Sequence, residues 1–538
     1  MKIKRLWISK YKNIENIDLE FQSDLVTLLV GRNGLGKSNL IEILALIFRD
    51  LDLLKTYEEL TSWAYYEDRG QFEYIIEYYS RGNDIRITTK QDHFQVEVRT
   101  TGSDDFRVLD FGEWIVSKER LLPKYIIGYY SGENKRIQAI IEPHAKKEKR
   151  LQRNWHRRKT LPERSLRRLF FAENKHSQLL LITLAVYKNN VSFEGLVNRL
   201  FHDYLLINSV DSFDIKFNNP RSRYYKDLNA SANYFEENFT SSKIEERLDY
   251  PFWNLKGKIH DLISVLFNHH LENASYIIYE NIDEGQGKED SRRFVKEFLQ
   301  LKNTKIREVE NEIYEKFPHP IDFFNALEGC YNLEILSSIS VEVKIANGTE
   351  DLQKVKFEQL SEGQQQILTV LGVLLTTASD ECLFLFDEPD THVNPRWQRD
   401  YVNLLHDFNL NGDNTQIILA THSSLIVQSS EMADVFLFKK DNGEVIIDTA
   451  PPEIHNWRID QVLVSEYFGL ESARPPSLDP YMQLKEKIIN KYPYDEVDIN
   501  ELSEFENEYG VLPTGETKTE IRILQLMNEI TKKKNDSN

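Results

Sequence analysis

The first fifty residues run strand, turn, strand, glycine loop, helix. Residues 25–30 (LVTLLV) are a run, apolar but for Thr27, with the length of a buried strand. GRNGLGKS follows at once, and NLIEILALIF then repeats its apolar positions at helical spacing. Residues 71–100 alternate instead, with turn residues at 81–84 and 91–92, which predicts an antiparallel meander. Another strand is predicted over 125–130 (YIIGYY). From about 140 to 340 the pattern changes to long polar stretches with scattered Asn and Tyr and no sustained heptad. A compact helical subdomain is expected there, not a long coiled-coil arm. After Leu360 the strand and helix alternation returns, with a buried strand in each of ECLFLFDEPD and NTQIILATHSS. The end of the chain is acidic and loop-rich. It closes on an expected helix over 517–532, where Ile523, Leu524, Met527 and Ile530 share one face. The whole reads as one α/β fold split by an insertion.

Composition narrows this picture. At 538 residues the chain exceeds what one core organises, so two or three domains are expected. Its hydrophobic share of 41% and charged share of 28% are those of a soluble globular protein. No run of 18 apolar residues exists, so no membrane span or membrane partner is expected. The opening residues alternate like a strand and lack the apolar block of a secretory signal. Two cysteines, Cys330 and Cys382, cannot organise the fold by disulfides, so a reducing cytoplasm is expected. A net charge of −19 argues against a surface that coats nucleic acid, apart from a local basic patch.

Candidate chemistry starts at Gly31-Arg32-Asn33-Gly34-Leu35-Gly36-Lys37-Ser38, between a strand and a helix. A polyphosphate needs many donors without side chains in the way. Glycines let backbone N–H groups converge on it, and the following helix adds its N-terminal dipole. Lys37 would meet the outer phosphates, and Ser38 would offer a hydroxyl to Mg²⁺. Arg32, Asn33, Gly34, Gly36 and Asn39 complete the expected ATP-binding set. In Leu383-Phe-Leu-Phe-Asp387-Glu388-Pro389, four apolar residues form a strand with two carboxylates at its C-terminal end. Asp387 would hold Mg²⁺, and Glu388 would polarise the attacking water. A buried carboxylate pair costs several kcal/mol without a cation, so the phosphate loop and the pair support each other.

Leu360-Ser361-Glu362-Gly363-Gln364-Gln365 is, on its own, either a capped helix start or a second phosphate-facing helix N-terminus. Here the chain resembles the ABC-type ATPases, whose signature reads LSGGQ. Glu362 in the third position resembles their SMC/RecF-like branch. The motif lies 27 residues before Asp387, and Asp387 lies 35 before His422. That resemblance implies an α/β ATPase head, with a mixed sheet, a phosphate-loop core, an antiparallel β subdomain, a helical insertion domain and a C-terminal tail. It implies ATP and Mg²⁺ as cofactors, and a homodimer or higher homo-oligomer in which heads sandwich ATP. Ser361, Gly363 and Gln364 would then reach the nucleotide of a neighbouring copy. In Ile417-Ile-Leu-Ala-Thr421-His422-Ser423 the histidine would contact the γ-phosphate, joining Glu388 as a catalytic residue. Asp390-Thr-His392-Val-Asn394-Pro395 occupies the place of the family's dimer-contacting loop, with Asn394 where Asp is common. No glutamine follows the strand at 125–130, so Ser131, Glu133 or Asn134 would serve as the Q-loop residue.

The resemblance sets expected boundaries. Residues 1–135 form the N-terminal ATPase lobe, and 136–345 the insertion with its basic segment. Residues 346–445 form the C-terminal lobe with signature, Asp-Glu pair and histidine switch, and 446–538 an acidic region for a partner. Residues 146–168 hold eleven Lys and Arg against two Glu, with Trp155 and His156 suited to stacking on bases. Lys147, Arg150, Arg153, Arg157, Arg158 and Arg167 are candidates for nucleic acid. The alternative is a solvated helix, or one paired with the chain's own acidic surface.

The run RIDQVLVSEYFGLESARP from Arg458 resembles the C-terminal region of the PtuA ATPases of Septu antiphage systems and of related retrons. That resemblance implies a multimeric ATPase restraining a separate HNH nuclease, PtuB-like, and in retrons a reverse transcriptase with its DNA–RNA hybrid. The alternative is a RecF/SMC-like repair ATPase that clamps DNA. A nuclease inside the chain is not expected: Asp495-Glu-Val-Asp498 has the wrong spacing for a Toprim domain, and two cysteines cannot build a four-cysteine zinc site. A transporter ATPase is not expected either, because more than 300 residues separate loop and signature.

Overall fold

The computed structural model describes residues 1–22, 25–54, 72–90, 93–102, 105–132, 136–157, 168–189, 193–218, 257–268, 274–281, 294–346, 352–377, 381–410, 415–470, 473, 475–480, 483–484, 500, 503–504 and 507. In chain order its strands are β1 (Lys2–Tyr11), β2 (Ile14–Glu20), β3 (Val26–Gly31), β4 (Tyr74–Ser80), β5 (Asn83–Lys90) and β6 (His93–Thr100). Next come β7 (Arg107–Leu109), β8 (Tyr125–Tyr130), β9 (Leu169–Ala172), β10 (Ile207–Asn218), β11 (Ala274–Asn281) and β12 (Phe294–Lys305). The last are β13 (Leu336–Ala346), β14 (Leu352–Lys356), β15 (Cys382–Asp387), β16 (Thr415–Ala420), β17 (Ala433–Asp441) and β18 (Glu444–Asp448).

Three sheets result. The central one has seven strands in the order β18-β17-β3-β16-β15-β8-β9, all parallel except β18. Strands β3, β15 and β16 are buried along their whole length, as a parallel sheet covered on both faces requires. Their C-terminal ends, Gly31, Asp387 and Ala420, meet at one edge. The meander expected over 71–100 is β4, β5 and β6, which with β1, β2 and β7 forms a six-stranded antiparallel sheet.

Alternation along β3 and β15 sorts the core. Leu29, Leu383 and Leu385 face one side and pack with Leu40 and Leu44 of the helix Lys37–Leu53 and with Ile76 and Ile87 of the antiparallel sheet. Leu28, Val30, Phe384 and Phe386 face the other. They share a cluster with Phe213, Phe217 and Ile339 of the insertion, so the insertion is built onto the central sheet.

The insertion is not simply the compact helical subdomain expected from its sequence. It carries a five-stranded antiparallel sheet, β11-β12-β10-β13-β14, beside the helices Asn174–Val186, Gly257–Asn268, Ile306–Lys316 and Pro320–Asn332. Phe213, Ile215 and Phe217 on β10 and Ile339, Val341 and Val343 on β13 are buried at every second position. The period of two was in the sequence, but its polar intervening residues resemble loop. Two further strands cross the expected boundaries: β9 joins the central sheet, and β13 pairs with β14 beyond residue 345.

Candidate functional site

The phosphate loop sits where β3 ends and the helix Lys37–Leu53 begins. Gly34 and Gly36 both have positive φ, the turn geometry that aims successive N–H groups inward. Arg32, Asn33 and Gly34 form the exposed crest. The buried Lys37 ammonium folds back, donating to the carbonyls of Gly31 at 2.7 Å and Arg32 at 3.3 Å. Burial lowers its pKa to about 8, although Glu388 and Asp387 pull upward.

A brace that sequence reading missed supports the loop from outside. Asn13, in the turn between β1 and β2, donates to the Gly34 carbonyl at 2.9 Å and accepts from Asn39 at 2.6 Å. Asn39 therefore holds the loop through Asn13. No motif marks such a residue, because it lies in a hairpin turn outside the loop. Arg32 donates to the carbonyl of Gly469 at 2.6 Å, linking the loop to the C-terminal tail. Gly469 has φ +62, and a Cβ there would overlap the Arg32 guanidinium.

The carboxylates reach the loop from β15. The Ser38 hydroxyl donates to Asp387 Oδ1 at 3.1 Å. Burial pushes Asp387 up to about 6, against the Ser38 hydrogen bond. Glu388 is left-handed at φ +51, which costs a non-glycine residue about 1–2 kcal/mol. Its N–H donates to the Ala420 carbonyl at 2.9 Å. Its own carbonyl accepts from Ser131 at 2.6 Å and Thr391 at 3.0 Å. These bonds hold the strained backbone so that the side chain meets His422, with Oε1 3.4 Å from Nε2. The His422 hydrogen bond keeps Glu388 below the usual carboxylate range. Of the three Q-loop candidates, Ser131 touches the site by this bond; Glu133 and Asn134 lie outside the described residues.

The signature begins the helix Glu362–Thr376 with a reciprocal cap. Ser361 N donates to Gln364 Oε1 at 2.9 Å, and Gln364 N to Ser361 Oγ at 3.3 Å. Gln364 Nε2 donates to the Leu205 carbonyl of the insertion at 2.7 Å, so within this chain its amide serves the fold. A Cβ on Gly363 would collide with the His392 carbonyl, so only glycine lets the helix approach residues 390–394. Among the described residues, no hydrogen bond or ion pair joins Ser361, Gly363 or Gln364 to residues 31–38. The chain thus brings together the loop, Ser38, Asp387, Glu388 and His422, and keeps the signature residues apart from them.

The basic segment divides. The helix Arg136–Arg157 carries Lys146, paired with Glu142 at 2.8 Å, and Lys149, paired with Glu334 at 2.6 Å. Arg168 turns inward, its Nε 2.9 Å from Asp52 Oδ1, while His144 Nε2 lies 2.7 Å from Asp52 Oδ2. Against the upward push of burial, His144 and Arg168 hold Asp52 well below the carboxylate range. Of the nucleic-acid candidates, Arg150 is exposed and Lys147 half-buried. Arg158 and Arg167 lie outside the described residues, as do the side chains of Arg153 and Arg157. The expected helix over 517–532 lies outside them too. Within the tail, Val462, Val464 and Tyr467 are buried, and Tyr467 donates to the Pro452 carbonyl at 2.7 Å.

Among the described residues, no group of three or more His, Cys, Asp or Glu could hold a metal. No helix there is long and apolar enough to cross a membrane. The Ser38 hydroxyl against the buried Asp387 carboxylate is instead the partial oxygen set that suits Mg²⁺ completed by phosphates and water.

No curated protein matches the chain. A crystal structure of the Smc head bound to the C-winged helix domain of ScpA is similar at 11% identity, covering 84% of this chain and 98% of its own, with a TM-score of 0.33. An Smc head domain with an extended coiled coil, bound to the C-terminal domain of ScpA and derived from Pyrococcus furiosus, is similar at 12% identity, covering 83% and 96%, with a TM-score of 0.31. The match that spans loop, carboxylates and histidine together is to a family model over residues 26–428. The chain therefore belongs to the AAA_21 family, described as "AAA domain, putative AbiEii toxin, Type IV TA system".

Proposed function

We propose that this chain binds ATP with Mg²⁺ at residues 31–38 and hydrolyses it. The observation that carries the reading is the meeting of Ser38, Asp387, Glu388 and His422 at the mouth of the phosphate loop. Loop N–H groups and Lys37 bind the phosphates, which draw the ammonium off the Gly31 carbonyl. Ser38 and Asp387 would hold Mg²⁺, which would neutralise charge on the outer phosphates. Glu388, kept ionised by His422, takes a hydrogen bond from the attacking water, and His422 faces the leaving γ-phosphate. The signature residues, apart from their own loop, act on the nucleotide of a second copy.

In this reading turnover reports assembly. The tail's likeness to PtuA supports a regulatory ATPase of an antiphage complex that controls a separate HNH nuclease. A RecF/SMC-like DNA clamp is the competing role. The core chemistry is tested by mixing purified protein with Mg–ATP. Hydrolysis should rise more steeply than linearly with protein concentration and vanish in Lys37→Ala, and Glu388→Gln should bind ATP without turnover. Unchanged hydrolysis in Glu388→Gln would sink the assignment. Co-purification from the native host then separates the two roles: a bound nuclease supports defence, and DNA without a nuclease supports clamping.

A further inference from the structure

His422 is set in place by a closed ring of hydrogen bonds that no sequence motif marks. Thr421, fully buried, donates its hydroxyl to Asp390 Oδ2 at 2.9 Å and accepts from Ser423 N at 2.9 Å. The two residues flanking His422 are thereby tied across it. The Ser423 hydroxyl donates to Gln398 Oε1 at 2.9 Å and caps the short helix Ser424–Gln428 by accepting from Ile426 N at 3.3 Å. Gln398 Nε2 closes the ring, donating to the carbonyls of Asp390 at 3.1 Å and Val393 at 3.0 Å. The amide orientation follows from its partners, since only a nitrogen can serve two carbonyls. Outside the ring, Thr391, His392 and Asn394 are exposed, while Asp390 and Val393 are buried beneath them.

We propose that Gln398 is a positioning residue that couples the loop 390–394 to His422, so that pressure on this loop from a second copy adjusts the histidine against Glu388. The inference rests on the ATPase reading above and deepens it. Gln398 makes no hydrogen bond to His422 or Glu388 among the described residues. It acts through Ser423 and Asp390 on the backbone that carries the imidazole. Loop and histidine then move as one unit, because every polar end of the Gln398 amide is committed to them. Asp390 is the anchor of that unit: a carboxyl only 5% exposed, held by one hydroxyl at the base of the exposed loop.

The test is steady-state hydrolysis by the full chain with Gln398→Leu, Ser423→Ala, His422→Ala and the double variant Gln398→Leu/His422→Ala. A misplacement of about 1 Å at a catalytic group costs on the order of 10²-fold. Gln398→Leu and Ser423→Ala should therefore each lower kcat by about 10- to 100-fold. KM and equilibrium ATP binding should stay within about twofold, because the phosphate loop is untouched. The double variant should be no slower than His422→Ala alone, since Gln398 works through the histidine. Multiplying losses, or an unchanged kcat in both single variants, would overturn the inference. Should Gln398→Leu unfold, Ser423→Ala with His422→Ala provides the same cycle. A wild-type chain that binds ATP but never hydrolyses it would refute the proposed function and this inference with it. A wild type that turns over ATP, alongside multiplying losses, refutes the inference alone.

Discussion

Asp387 is expected to destabilise the nucleotide-free protein, and Asp387→Asn should expose this. Burial raises the Asp387 pKa from 3.8 to about 6, so the fold prefers the protonated form. Below pH 3.8 folded and unfolded chains both carry the proton, and the carboxyl costs nothing extra. Between about 4 and 6 the unfolded chain ionises while the folded one resists, so stability falls as pH rises. Above 6 the penalty is constant. A shift of about 2.2 units at 1.36 kcal/mol each is about 3 kcal/mol at pH 7–8, shrinking to about 1 kcal/mol near pH 4.5. Asparagine removes the charge and still accepts the Ser38 hydrogen bond. For a cooperative unit of about 400 residues the unfolding entropy is about 0.8 kcal/mol/K, so the variant should melt about 3–4 °C higher at pH 7.5 in EDTA. Mg–ATP at about 1,000 times its wild-type Kd should reverse the order, since it adds about 4.1 kcal/mol to wild type and little to a variant without the carboxylate proposed to hold Mg²⁺. Calorimetry at pH 4.5 and 7.5, with and without Mg–ATP, measures all four values. A variant less stable than wild type in EDTA at pH 7.5, or a difference that does not change with pH, would refute the reasoning.

Lys37, with a pKa near 8 in the nucleotide-free protein, is charged at pH 7 and largely neutral at pH 9. ATP affinity measured by calorimetry should fall about tenfold between those values, and a flat profile would refute either the lowered pKa or the contact of Lys37 with the phosphates. Gly469→Ala places a side chain on a left-handed backbone and against Arg32, and should cost about 1–2 kcal/mol. Faster hydrogen exchange confined to residues 459–470 would confirm that the tail lets go of the loop; unchanged exchange would count against it. Arg168→Met leaves the buried Asp52 with His144 alone and should destabilise by about 3–5 kcal/mol in chemical denaturation. A loss under 1 kcal/mol would return Arg168 to the solvated basic surface.

What the sequence made legible follows from how far the chemistry reaches along the chain. The phosphate loop needs successive N–H groups from consecutive residues, so GRNGLGKS is readable where it stands. Asp387 and Glu388 are adjacent because a strand end can present two carboxylates. Asn13 and Gln398 carry no such mark, and Ser131 is marked only by its place after the strand at 125–130. Asn13 and Ser131 meet the site, and Gln398 the segment around His422, through two or three hydrogen bonds from distant stretches, and a lone Asn, Ser or Gln has many uses. The insertion's sheet was hidden for a related reason. Strand β10 pairs with β12 and β13 across large sequence separations, and the polar residues at its alternate positions read locally as loop. The basic segment misled in the opposite way, since Arg168 belongs to a buried ion cluster and not to the charged surface its neighbours suggest.

The central sheet draws its strands from both sides of the insertion, and this has a consequence for synthesis. Strand β3 lies between β16 and β17, whose residues 415–441 are made long after residues 26–31. At roughly 5–20 residues per second, β3 waits tens of seconds for either neighbour, with both edges unpaired and a run of Leu and Val exposed. Asp387 and His422 follow the insertion, so until they are made the nascent chain has no completed site of the kind proposed. A ribosome that stalls or terminates inside the insertion releases an aggregation-prone fragment and never a half-active ATPase.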